Sequence, residues 1–333
     1  MADASTATLL VTGATGFLGR RLAQALAVAG VGAERLRLLV RDPARAAGGL
    51  PPATLSRGDL ADPDGRARFV AAARGVDVVV HLAGSLKAFG PDGYDAVNVA
   101  GTARFFDAVA EVAPNAFVVH VSSLAAAGPS VDGRDSAAPP GRCRPVSNYG
   151  RSKLGGEAAL LASGLAHCIV RPPVVYGPED AATRLLFRQA LAPLVPVPRR
   201  AAPLSVIHAD DVVAALLAAI ARRPVGSVVA LDGPERTDTH QLSRRIAAAC
   251  GRRARLVPVP LLFARAAASV GDLVARWRGV PGYFNRDKVR EIAAPGWVAD
   301  GETARQVLGV AARVALDDGL RQVAEAEGLV PLG

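Results

Sequence analysis

A short apolar run, Leu9-Leu10-Val11-Thr12, passes directly into Gly13-Ala14-Thr15-Gly16-Phe17-Leu18-Gly19 and then into a helix-forming stretch, Arg20 to Ala29. Strand, glycine turn and helix in that order constrain this chain more than any other feature. The first glycine permits a tight turn, the second lets backbone N–H groups approach a diphosphate, and the third lets the helix pack closely; the helix N-terminus then favours the anion. The spacing is Gly-x-x-Gly-x-x-Gly rather than Gly-x-Gly-x-x-Gly. A glycine string alone is a weak signal, and the flanking strand and helix give it weight. Gly13, Thr15, Gly16, Phe17 and Leu18 are the cofactor candidates here.

The pattern repeats. A second strand, Leu36 to Val40, ends about 20 residues past the loop, where a ribose-reading residue belongs. Arg41-Asp42-Pro43 stands there. An acidic residue placed first would bind both ribose hydroxyls and repel a 2'-phosphate, whereas Arg41 pairs with that phosphate and stacks on the adenine. NADP is therefore expected over NAD, with Arg45 as a second contact. Strands at 53–57 and 76–81 enclose a helix at 64–74, and this βαβα alternation predicts an α/β chain with a Rossmann-type, doubly wound parallel sheet. Asp59 and Leu60 follow one strand end and suit the adenine edge. Leu82-Ala83-Gly84 follow the next and offer small residues where a cofactor passes closely. Lys87 and Phe89, just beyond, are candidates for the substrate side. A helix at 94–112, containing Asn98, leads to a buried strand at 117–121 that ends in Ser122-Ser123. The Gly- and Pro-rich stretch at 124–147 is long enough to cover a substrate.

Tyr149 and Lys153 follow, four residues apart where a helix should begin. On a helix such residues share a face. A neighbouring positive charge lowers a tyrosine pKa from about 10 and makes the phenol a usable general acid or base. An isolated Tyr-x-x-x-Lys is ordinarily a surface tyrosine beside a solvated lysine. Lys, however, occurs only at 87, 153 and 288, so 36 of the 39 basic residues are Arg. A merely solvated cation at 153 should have been Arg. Ser-Ser after a strand is by itself a turn signal; its weight comes from the Tyr-Lys pair one loop later.

A strand at 165–171 closes on Arg171-Pro172-Pro173-Val174-Val175-Tyr176. Two prolines force an extended exit suited to walling a nicotinamide, so Pro172 and Val174 are cofactor candidates and Tyr176 a substrate candidate. Further on, the pattern mixes helices to Leu191 and at 211–221, 239–250 and 316–327 with strands at 204–207 and 227–231; Pro-rich breaks at 139–145 and 193–203 read as loops. A chain of 333 residues exceeds what one core usually organises. The expected division is a nucleotide-binding domain, 1–178 together with about 204–231, and a smaller interleaved C-terminal substrate lobe, 179–203 and 232–333.

The net charge of +9 is spread over scattered arginines with no nucleic-acid motif, which disfavours nucleic acid and favours an anionic cofactor or substrate. Cys143, Cys168 and Cys250 are an odd set without C-x-x-C spacing, so neither a disulfide framework nor a zinc site is expected, and a cytoplasmic setting fits. The five histidines show no ligand spacing, so no metal is expected. Met1 to Thr8 lacks the marks of a signal peptide. Pro260 to Val280 is interrupted by Arg265, Asp272, Arg276 and Arg278 and cannot span a bilayer, so no integral membrane segment is expected. A helix capping the substrate site is the preferred reading of that stretch, beside a helix lying on a membrane surface.

Thr12 to Gly19, Val121-Ser122-Ser123, Tyr149 to Lys153, Arg171 to Pro178 and Ser205 to Asp211, in this order, resemble the extended short-chain dehydrogenase/reductase family over nearly the whole chain. The resemblance implies a Rossmann-type sheet, a Ser-Tyr-Lys centre and often a homodimer built through the helices beginning near Tyr94 and Tyr149. By position the catalytic hydroxyl is Ser123, with Tyr149 as proton donor and Lys153 holding the ribose. Many relatives carry a tyrosine where Ala127 stands. Sugar-nucleotide epimerases and dehydratases usually have Asn where Pro173 stands and a Gly-x-Gly followed by Arg where this chain has Pro198 to Pro203. The dehydratase pattern also wants an acidic pair where Leu124-Ala125 follows Ser123. These departures point toward branches similar to 3β-hydroxysteroid dehydrogenases and dihydroflavonol reductases, which act on bulky, largely apolar ketones or alcohols. A nucleotide-sugar epimerase or dehydratase is the alternative, and a non-catalytic NADP-binding sensor or scaffold is the alternative of another class.

Overall fold

The computed structural model describes residues 7–329, so most of the Met1–Thr8 stretch lies outside the described residues. The first half of the chain alternates strands and helices: β1 (Leu9–Thr12), α1 (Phe17–Val28), β2 (Leu36–Val40), α2 (Pro43–Ala46), β3 (Thr54–Arg57), α3 (Arg66–Ala73), β4 (Val78–His81), α4 (Gly90–Asp95), α5 (Thr102–Val112), β5 (Phe117–Val121), α6 (Leu124–Ala127), α7 (Asn148–Ala162) and β6 (Ala166–Arg171). The second half holds β7 (Val174–Tyr176), α8 (Ala181–Ala190), β8 (Val195–Pro198), β9 (Pro203–His208), α9 (Ala209–Arg222), β10 (Ser227–Ala230), β11 (Arg236–Asp238), α10 (Thr239–Ala249), β12 (Leu256–Val259), α11 (Leu261–Arg278), α12 (Arg286–Ile292) and α13 (Leu316–Ala326).

The main sheet runs β10-β6-β5-β4-β1-β2-β3, all parallel. Strand order reverses between β1 and β4, and ligands of such sheets bind in the crevice outside the carboxyl ends at that point. Both faces of the central strands are covered, which is why β1, β4 and β5 are buried along their whole length. The period-two pleat divides them: Leu9, Val11, Leu38 and Val80 pack beneath α1 and α9, while Leu10, Val79, Val118 and Ile169 pack against Phe69 of α3 and Phe105, Phe106 and Val109 of α5. A third cluster, with Phe187, Val206, Ile246, Leu320 and Val323, packs β9 against α8, α10 and α13.

Three sequence expectations change. The strand at 203–208 joins β7 and β11 in a separate three-stranded sheet, because the slot beside β6 is taken by β10 in the register Ser227↔Cys168. Val195–Pro198, read as part of a Pro-rich loop, is a strand paired in parallel with Leu256–Val259; a two-stranded ribbon has only edge strands, where proline is tolerated. The helix expected at 94–112 begins earlier, at Gly90, and passes through a π-helical stretch, Ala96–Gly101. Among the described residues no helix is long and apolar enough to cross a membrane.

Candidate active site

The glycine turn sits at the switch point. Gly13 has φ +71°, and a Cβ there would lie 2.7 Å from the amide N of Ala83, in the turn after β4. At Gly19 a Cβ would come within 2.1 Å of the Gly13 carbonyl O, so α1 packs directly on the turn. At Gly16 it would meet only that same oxygen, at 3.1 Å, leaving the rest of its surroundings open. The α1 N-terminus has no side-chain cap and no acidic residue in its first turn. Free N–H donors, a positive dipole end and open space beside Thr15, Gly16, Phe17 and Leu18 fit a diphosphate.

The ribose-reading candidates lie at the ends of β2 and β3. Arg41 is exposed, and among the described residues its guanidinium makes no ion pair or hydrogen bond. Arg45 pairs with Asp42 at 3.3 Å, and Asp42 also caps the α2 turn by accepting from the Ala44 N–H. Asp59 accepts from the Ala61 N–H, and Leu60 is buried against Gly101. The turn Leu82-Ala83-Gly84 is held by the Ala83 N–H donating to Thr12 Oγ1 at 3.1 Å. A Cβ on Gly84 would lie 3.7 Å from Lys153 Nζ and 3.1 Å from Asn98 Oδ1.

Ser123, Tyr149 and Lys153 converge at the carboxyl end of β5. The Ser123 hydroxyl lies beside the Tyr149 phenol and favours its ionised form. The buried ammonium of Lys153 donates to the Val121 carbonyl O at 2.8 Å. Burial pushes the phenol of Tyr149 above its ordinary value; the Ser123 hydroxyl pulls the other way, while Glu291 and Tyr94 push further up. The expected lowering by Lys153 is absent, and burial is the largest influence on the phenol. Burial instead lowers the Lys153 ammonium itself to about 8, partly opposed by Glu157. Burial and the Lys153 charge push the neighbouring His81 down to about 3.

The N-terminus of α7 is fastened twice. Ser147 caps it by accepting from the Gly150 N–H at 2.9 Å, and the two oxygens of Asp287 on α12 accept from the N–H groups of Asn148 (2.7 Å) and Tyr149 (3.0 Å). Glu291 accepts from the Ser147 hydroxyl at 2.8 Å. Deeper in the helix, Arg171 and Glu157 form a fully buried pair, with nitrogen–oxygen distances of 2.8 and 2.6 Å. Glu157 also accepts from Ser122 Oγ, and Arg171 donates to the carbonyls of Ser136 and Ala138. The 124–147 segment is thus pinned to the end of β6 at Ser136 and Ala138. Asn98 Nδ2 donates to Ser152 Oγ at 2.9 Å and to the Ser85 carbonyl, tying the π-helical stretch to α7. Asn98, Asp287 and Glu291 are site-building residues that sequence reasoning gave no role.

Pro172 is buried, and its carbonyl accepts from the Leu124 N–H at 2.9 Å; Val174 opens β7 beside it. Phe89 is half-exposed, and Lys87 lies 4.5 Å over the Tyr283 ring. Tyr176 is buried in the third cluster, packed with Phe187 and Val206 and edge-on to His208 at 5.3 Å. Among the described residues no group of three His, Cys, Asp or Glu side chains is placed to hold a metal.

The sheet order and the glycine cradle at its switch point define a Rossmann-type dinucleotide-binding protein. The chain belongs to the NAD dependent epimerase/dehydratase family, whose model matches residues 9–230. It is 34% identical to a ceramide reductase of Caulobacter vibrioides, over 96% of this chain and 94% of that protein. It is 27% identical to the 4-hydroxy-2-methyl-3-oxo-4-farnesyl-3,4-dihydroquinoline-1-oxide ketoreductase of Stigmatella aurantiaca, over 95% of each. In fold it resembles the UDP-glucuronic acid 4-epimerase of Bacillus cereus, solved with UDP-glucuronic acid and NAD, with TM-score 0.73 over 96% of this chain and 99% of that one at 21% identity. The family's members are NAD(P)-dependent oxidoreductases and epimerases.

Proposed function

We propose that this protein reduces a ketone to a secondary alcohol on a bulky, largely apolar small molecule, using NADPH and a Ser123-Tyr149-Lys153 centre. The observation that carries the reading is the meeting of the Tyr149 phenol, the Ser123 hydroxyl beside it and the buried Lys153 ammonium at one strand end. Gly13, Thr15, Gly16, Phe17 and Leu18 would hold the diphosphate, Arg41 the 2'-phosphate, and Asp59 and Leu60 the adenine edge. Leu82, Ala83, Gly84, Pro172 and Val174, with Tyr149 and Lys153, would hold the nicotinamide half. When bound, the reduced nicotinamide supplies a hydride to the carbonyl carbon.

The chain's own residues manage the oxygen. Ser123 donates a hydrogen bond to the carbonyl, and Tyr149 delivers its phenolic proton as charge develops there. An ordinary phenol, with a pKa of about 10, is already protonated at neutral pH, as a proton donor must be, and burial pushes it further that way. Lys153 holds the ribose and brings a positive charge to the same strand end. Lys87 and Phe89 line the substrate approach. The names of the two reductase relatives, one acting on a ceramide-type lipid and one on a farnesylated quinoline, support an apolar ketone. A homodimer through α4, α5 and α7 belongs to the same reading.

The test incubates purified protein with NADPH and, in parallel, pools of apolar ketones and of sugar nucleotides. Net oxidation of NADPH with the ketones supports reduction; isomerised sugar without net cofactor change overturns it in favour of an epimerase. Arg41→Ala should weaken NADPH binding by about tenfold and leave NADH binding unchanged. A wild-type preference for NADH sinks the cofactor assignment.

A further inference from the structure

Helix α11, Leu261–Arg278, carries its apolar residues on the outside. Its inner side, toward α12, presents small residues, and Ala268 alone is buried. Away from the body stand Leu262 (73% exposed), Phe263 (65%), Val270 (63%), Leu273 (70%), Val274 (42%) and Trp277 (85%). At about 100° per residue these six fall within one arc of roughly 120°, opposite Ala268. By the same periodicity Arg265 and Arg276 flank one edge of the arc and Arg278 the other. The single acidic residue, Asp272, lies toward the inner side and pairs with Arg286. A contiguous exposed apolar strip of this kind marks an interaction surface.

We propose that this face docks on an anionic lipid bilayer, lying in the plane of the surface with the apolar strip in the acyl boundary and the arginines among the phosphates. The charge pattern selects this occupant. A second copy packed through the same strip would set Arg265, Arg276 and Arg278 against one another, and like charges across an interface are costly. An anionic surface complements all three. The docked helix also reaches the chemistry: α11 continues into α12, whose Asp287 accepts from the Tyr149 N–H, and Tyr283 between them lies beneath Lys87. Docking therefore sets the Ser123-Tyr149 group beside the phase in which an apolar ketone dissolves. That last clause rests on the function proposed above; the docking does not.

The experiment uses the full chain without substrate. It is mixed with vesicles of phosphatidylcholine containing phosphatidylglycerol, or of phosphatidylcholine alone, and read by flotation and by tryptophan emission. Trp277 and Trp297 are the two tryptophans, so Trp277→Phe shows which one responds. The protein should float with the anionic vesicles and its emission should shift to the blue, with the shift lost in Trp277→Phe. Replacing Arg265, Arg276 and Arg278 by Gln should weaken partitioning by about fivefold for each charge. Phe263→Ser with Trp277→Ser should weaken it by about tenfold or more at an unchanged melting temperature. Failure to bind either vesicle, or equal binding to both, overturns the proposal. So does a dimer that the Phe263→Ser/Trp277→Ser variant splits, which would assign the face to a second copy. Absence of ketone reduction would refute the function above and leave vesicle binding standing.

Discussion

Helices α7 and α11 depart from ordinary amphipathic patterning in opposite directions. The first buries Ser152, Lys153 and Glu157; the second buries only Ala268 and leaves Leu262, Phe263, Leu273 and Trp277 exposed. Each buried polar group of α7 has a partner in the protein: Ser152 with Asn98 and the Tyr149 carbonyl, Lys153 with the Val121 carbonyl, Glu157 with Arg171 and Ser122. The exposed apolar groups of α11 have none of comparable extent. A helix with polar residues inside is held by specific bonds and builds a site, whereas one with apolar residues outside contributes little to its own fold and keeps surface for something else.

The contrast breaks or holds first at Glu157. Glu157→Gln leaves the Arg171 guanidinium buried against a neutral amide, and should cost about 3–5 kcal/mol of stability, read as a fall in the urea midpoint. A cost below about 1 kcal/mol would mean that α7 is not held by its buried pair.

A smaller effect belongs to Lys153. Its pKa falls from 10.5 to about 8 on folding, so between those values the unfolded chain binds the extra proton and stability rises with pH. The penalty for burying the ammonium is full below about pH 8 and relieved as pH approaches 10.5. Wild type should therefore gain roughly 2 kcal/mol relative to Lys153→Met between pH 7.5 and 10, measured by denaturant unfolding. A difference that stays flat with pH would place the charged amine in a solvated setting.

Least of all should change on α11. Trp277→Ser alters an 85% exposed side chain and should shift unfolding by no more than about 0.5 kcal/mol. A cost of about 2 kcal/mol would show that the strip is packed after all.

The sequence and the structure agree where chemistry is local. Strands β1, β2 and β5 are largely apolar, broken only by Thr12, Arg37 and His120, and Ser123 follows a strand end while Tyr149 and Lys153 follow a helix start, both marked by composition. Legibility fails where a contact depends on distant chain. Asp287 and Glu291 lie 138 to 144 positions from the residues they hold at the start of α7, and no periodicity connects them. Glu157 reads as one more helical glutamate until Arg171 is seen beside it. The i,i+4 spacing of Tyr149 and Lys153 correctly brings them to one helix face, but spacing does not show that the amine bonds to Val121 while burial governs the phenol. Prolines 196 and 198 hide β8 because proline is read as a breaker, and it is harmless on an edge.

Tyr149→Phe tests the central claim most directly. The variant keeps the ring and removes one oxygen, so NADPH affinity and melting temperature should stay near the wild-type values while turnover of an apolar ketone falls by about a hundredfold or more. A Phe variant that turns the ketone over at the wild-type rate would contradict the assignment of Tyr149 as proton donor, and with it the proposed centre.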